Sequence, residues 1–139
     1  MENLKINSNS LLKVAPLAAA VSAAGNAVLY FIGSAIGMMD KTVGMVTPEG
    51  VQPITLAPVI ISSIIPTLIG AGLLALLNRF TANPLRIYGI VTVVVSVLSI
   101  ANPFVAIPNM PIGMGVWLNL MHVVVAGVAW YAYSRYTKK

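Results

Sequence analysis

The sequence predicts an all-α membrane protein, a four-transmembrane-helix antiparallel bundle, and three observations carry that prediction. First, 58% of the 139 residues are hydrophobic and only 8% charged, whereas a soluble domain carries about 25% charged residues. So little charge cannot cover a surface facing water. Second, four blocks, roughly 14–38, 54–77, 87–107 and 116–133, are long and apolar; crossing a bilayer takes about 20 residues at about 1.5 Å each. Third, the basic residues flank these blocks with one polarity. Lys5 and Lys13 precede the first block, Arg79 and Arg86 separate the second from the third, and Arg135, Lys138 and Lys139 follow the fourth. The remaining one, Lys41, shares the opposite side with Asp40 and Glu49. By the positive-inside rule both termini are expected in the cytoplasm. The pI near 9.8 therefore reports topology, and no nucleic-acid partner is expected.

Along the chain, 1–10 ("MENLKINSNS") is polar and reads as a loose tail. Pro16 is expected in the first turn of helix 1, where its missing N–H does little harm. A cleaved signal peptide would need a shorter apolar stretch, so helix 1 reads as retained. The loop 40–53 carries "TVGMVT" and "VQPIT" around the turn signal "PEG". That pattern suits a short extracytoplasmic hairpin, with an irregular loop the equal alternative because of Pro53 in the second arm. "NRFTANP" is a short inner loop, and the prolines and glycines of "PNMPIGMG" separate helices 3 and 4. Residues 1–139 read as a single membrane domain.

Polar residues within the spans are costly in lipid and should face other helices or a cavity. Helix 1 offers Ala19, Ser22, Asn26 and Gly33, helix 2 Ser63, Thr67, Ala71 and Ala75, helix 3 Gly89, Thr92, Ser96, Ser99 and Pro103. Helix 4 offers Gly115, Asn119, His122, Ala126, Ala129 and Tyr133. Such small or polar stripes suit close packing. Gly33-Ser-Ala-Ile-Gly37 is also a GxxxG sequence, equally suited to packing within the chain and to dimerisation. Counting residues from the helix ends puts Ser62, Ser63, Ser99, Asn102, Asn119 and His122 at one depth in the outer half of the bilayer, with Asn26 nearer the midplane.

These six residues form the candidate ligand or polar cluster. His122, the sole histidine, is expected to look into the bundle, bonded to Ser99 or Asn102. Three readings of it compete: an interhelical hydrogen-bonding residue, the polar wall of a small cavity open to the outer leaflet, or a haem or metal ligand or catalytic base. With no cysteine and no acidic residue inside any span, the chain lacks partners for a metal. It also lacks a carboxylate to orient the imidazole. No phosphate loop, catalytic triad or HExxH is present, and no cofactor is expected.

The whole chain resembles a family of small, uncharacterised bacterial four-helix membrane proteins, catalogued as a domain of unknown function. The stretches that carry the resemblance are "RFTANPLRIYGIVTVVVSVLSIANPF" and "LNLMHVVVAGVAWYAYSR". It implies four spans, a bacterial source and the plasma membrane, and no reaction. The expected role is binding of a lipid or other apolar small molecule, or of a partner membrane protein or second copy of the chain. The alternative is a membrane-embedded lipid- or quinone-modifying enzyme using His122 and Asn119.

Overall fold

The computed structural model describes residues 5–139. Its elements run α1 (Ser8–Ala35), β1 (Gly44–Thr47), β2 (Gly50–Pro53), α2 (Leu56–Phe80), α3 (Pro84–Ser99), α4 (Asn102–Ala106) and α5 (Ile112–Tyr136). Helices α1, α2 and α5 have 28, 25 and 25 residues and are apolar enough to cross a membrane. At the helical rise each exceeds the roughly 30 Å hydrocarbon core.

The third expected span is not one helix. Its 16-residue α3 is about 24 Å long at the helical rise, short of that thickness. The chain turns at Ile100 and Ala101 and resumes as α4. Pro103 causes the break: it has no N–H for the Ser99 carbonyl, and its ring crowds that carbonyl in a straight helix.

Helix α1 starts earlier than its apolar pattern. Asn7 caps it, its Oδ1 accepting from the backbone N–H of Asn9 and Ser10, which satisfies two otherwise orphaned donors. Pro16 therefore lies well inside α1, not in its first turn. Nor are residues 5–10 loose. Ile6 pairs with Lys138 in an antiparallel bridge, and Asn7 N–H donates to the Thr137 carbonyl at 2.7 Å. Asn78, near the end of α2, clasps Ile6 on both sides, accepting from its N–H at 3.0 Å and donating to its carbonyl at 3.2 Å. The rest of the expected loose tail, 1–4, lies outside the described residues. At its other end α1 closes in a Schellman motif: Met38 N–H reaches the Gly33 carbonyl at 2.7 Å, with Gly37 at φ +77.

The 40–53 loop is a hairpin. β1 and β2 pair antiparallel with Gly44 opposite Pro53 and Thr47 opposite Gly50. Pro53 is tolerated because it ends an edge arm. Gly44 is required there, since a Cβ would run into the Gln52 carbonyl.

In the bundle α1 packs on α2 and α5, and α3 lies across from α1 over the α2–α5 seam. Two apolar clusters form the interior. At the end holding both termini, Ile6, Leu11, Leu74, Leu85, Tyr88 and Tyr133 pack together. At the hairpin end the cluster is Met39, Val59, Ile107, Met114, Leu118 and Met121. Between them sits a buried polar layer of Ser22, Asn26, Ser63 and Thr67, to which Tyr133 adds a bond from its hydroxyl to the Thr67 carbonyl at 2.7 Å. Outward, the helices present aliphatics: Leu17, Val28, Ile69, Val93, Leu98 and Val123 are all more than half exposed. So continuous an apolar surface would aggregate in water and is solvated by lipid.

Candidate functional site

Towards the hairpin end, α3 gives way to the displaced α4, and a groove of about 260 Å³ opens between α2 and α5. Pro58 and Ser62 of α2 form one wall, Leu118, His122 and Val125 of α5 the other. Asn102 and Ala106 of α4 form the lip, Met45 of the hairpin reaches over it, and Asn26 of α1 contributes to its lining.

Of the six cluster residues expected from sequence, the groove gathers three, His122, Ser62 and Asn102. Ser63 is fully buried behind it, where its Oγ accepts from Asn26 Nδ2 at 2.9 Å and donates to its own Val59 carbonyl. Ser99 and Asn119 serve the helix break. Ser99 Oγ donates to the Ser96 carbonyl, and Asn119 Nδ2 to the Ile100 carbonyl at 3.0 Å, one that the interrupted helix leaves short of a partner.

His122 departs from expectation. Its ring makes no bond to Ser99 or Asn102; Nδ1 lies 2.8 Å from the Leu118 carbonyl of its own helix, and the residue is exposed along the groove. The buried residues of α5 are Met114, Gly115, Leu118, Met121, Ala129 and Tyr133. Of the expected stripe, Gly115, Ala129 and Tyr133 thus face inward, while Met121 takes the inward position beside His122, which lies about 100° round the helix from it. Trp117 tucks against α1: its Nε1 donates to the Leu29 carbonyl at 2.9 Å.

Asn26 is the residue that depth counting undervalued. It is 3% exposed, and its Nδ2 spends both hydrogens, on Ser63 Oγ and on the Met121 carbonyl at 3.1 Å. Its Oδ1 is buried without a hydrogen-bond partner, as are Ser22 Oγ and Asn119 Oδ1. A polar residue mid-span flanked by small ones (Ala23, Ala27) was the available signal. Among the described residues no three His, Cys, Asp or Glu side chains come together to hold a metal ion.

A second groove, about 730 Å³, runs between α3 and α5 on the other side, floored by Gly89, Ala126 and Gly127, with Arg86 at one end. Trp130 closes against Gly89, where a Cβ would lie 2.7 Å from the indole.

Three helices long enough to cross a membrane, an aliphatic exterior and a polar-lined groove at the hairpin end mark a helical membrane protein. The chain belongs to the family of unknown function DUF6069, whose model matches residues 7–139. No curated protein and no solved structure matches it.

Proposed function

We propose that this protein crosses the bacterial plasma membrane four times, with both termini cytoplasmic, and binds an apolar small molecule or lipid through the groove beside His122. The α3–α4 pair would make the third pass. Support for an even number of passes comes from the clasp that holds residues 5–7 against 137–139, and orientation rests on the basic residues gathered at that end. Cysteines replacing Glu49 and Ala82, both exposed, should react with an impermeant thiol reagent from opposite sides of the membrane. Reaction of both from one side would refute the topology.

One observation carries the binding role: an open groove lined mainly by apolar groups and bordered by Asn26, whose Oδ1 is buried without a partner. Its size, just under the roughly 300–1,000 Å³ of drug-sized sites, suits a narrow molecule. Native mass spectrometry from mild detergent should show a retained adduct that is lost in Ser62→Trp, which fills the groove. Equal retention by both proteins would remove the reading. An enzyme using His122 is less well served: Nδ1 is occupied by a carbonyl, and among the described residues no carboxylate orients the ring.

Arg86 favours a second lipid contact. From Arg86 to Val97 the α3 groove rises about 16 Å, the depth of one leaflet of a roughly 30 Å core. An acyl chain laid there puts its phosphate beside the guanidinium. Retention of anionic over zwitterionic phospholipid should fall in Arg86→Gln and persist in Arg79→Gln; unchanged selectivity in Arg86→Gln would exclude this contact.

A further inference from the structure

We infer that the hairpin-end groove selects an apolar molecule ending in a hydrogen-bond donor, a hydroxyl or N–H group, over one of the same size that can only accept. This rests on the groove being a ligand site and adds the chemistry of what it takes.

The polar groups lining the groove have already committed their hydrogens. The Leu118 carbonyl can only accept, so His122 Nδ1, 2.8 Å from it, is the protonated nitrogen. In the neutral ring Nε2 is left with a lone pair and no hydrogen. Ser62 Oγ gives its hydrogen to the Val59 carbonyl at 3.1 Å, leaving acceptor lone pairs. Asn26 Nδ2 is saturated by Ser63 Oγ and the Met121 carbonyl. That second bond also fixes the amide orientation, because exchanging O and N would set two oxygens face to face. Its Oδ1 is the buried acceptor with no partner. Asn102, on the exposed lip, is the one lining side chain with donors to offer.

A buried acceptor left unpaired costs free energy that an incoming donor recovers, while an acceptor arriving at the same place, away from Asn102, recovers nothing and meets lone pairs. The donor end belongs between His122 and Asn26, and the apolar body along Pro58, Leu118 and Val125.

The test uses the full chain in bilayer nanodiscs at pH 8, above the ordinary histidine range of about 6.5. A ten-carbon alcohol with a photoreactive diazirine near its far end labels the protein, and the labelled residues are mapped by peptide mass spectrometry. The competitors are 1-decanol and methyl nonyl ether, which have the same atoms but differ in that only the alcohol donates. Each is matched for its concentration in the bilayer. Decanol should compete about tenfold better, and the difference should vanish in His122→Phe and in Asn26→Leu while persisting in Ser99→Ala, outside the groove. His122 is exposed, so His122→Phe retains its fold if Asn26→Leu does not. Saturable labelling of the groove with equal competition by both compounds overturns the donor inference and leaves the binding role standing. Absence of saturable labelling in the groove overturns the binding role itself.

Discussion

Gly33→Ala should destabilise the bundle although alanine is the better helix former. On the bare helix the exchange gains about 1 kcal/mol. In this structure a Cβ at position 33 overlaps Trp117 Nε1 and comes within 2.9 Å of Cδ1 and 3.0 Å of Cε2. The indole is a rigid plate, and it is anchored by its 2.9 Å bond to the Leu29 carbonyl, so it can yield only by giving up that bond. Overpacking costs about 1–3 kcal/mol, and hydrogen bonds between membrane helices average about 0.6 kcal/mol. The balance is a loss of about 0.5–2.5 kcal/mol. Gly127→Ala provides the opposite case, since a Cβ there meets nothing within 4 Å, leaving only the helical gain of up to about 1 kcal/mol. Reversible unfolding in mixed micelles should therefore separate the two variants by about 1.5–3.5 kcal/mol, and Gly33→Ala should shift the tryptophan emission as Trp117 loses its site. Equal stability of the two, with unchanged emission, would refute the docking of Trp117 against α1.

Ala23, 8% exposed, should accept leucine at a cost of about 1–3 kcal/mol, whereas Val28, 58% exposed, should accept it with little change; thermal melts in mild detergent compare them. Asn78→Ala removes both bonds to Ile6, at about 0.5–1.5 kcal/mol each, and amide exchange should rise at 6–8 and 137–139 but not at the hairpin. Asp40 accepts from the Thr42 hydroxyl at 2.6 Å and the Thr42 N–H at 2.7 Å, which holds its carboxyl below the ordinary 3.8. A depressed carboxylate stabilises its turn above its ordinary pKa and loses that as pH falls through the lower folded value. The Thr42 amide should thus stay protected at pH 5 and lose protection only below about 3.8, and Thr42→Val should move the Asp40 titration upward.

Much of this fold was legible because lipid simplifies the code: apolar length gives the spans, and small or polar residues mark the packed faces. Ser22, Asn26 and Gly33 of α1, and Ser63, Thr67 and Ala71 of α2, are buried as their spacing requires. The misreadings share a cause. Hydropathy has no term for a cap, so Asn7 extends α1 into a polar stretch that averages as tail. Nor has it a term for a missing N–H, so Pro103 divides a block that looks continuous. Spacing also fixes which residues of a helix share a face, but not how bulky the space they face is. On α5 the polar residues were assigned inward on the rule that small groups seek helices. At the hairpin end methionine and leucine take the inward positions, and His122 lies exposed along the groove.

The broken third helix links these corrections. Were α3 to continue straight, its outer turns would cover the α2–α5 seam, as Leu85 and Tyr88 do at the other end. Because Pro103 ends it, the chain steps aside, and Asn119 spends its amide on the Ile100 carbonyl exposed at the step. Asn119 is thereby engaged at the break, which explains why it does not join its neighbour in the groove. His122 lies exposed along the groove, and its Nδ1 turns back to the Leu118 carbonyl of its own helix. Asn26, fixed from behind by Ser63 and Met121, retains an acceptor that no residue of the displaced α4 reaches. A substitution that heals the helix should therefore reshape the groove, of whose lining Pro103 is itself a part. Pro103→Ala restores an N–H one turn from Ser99, and to the extent that α3 then runs through 100–106 the groove should narrow and labelling at His122 should decline.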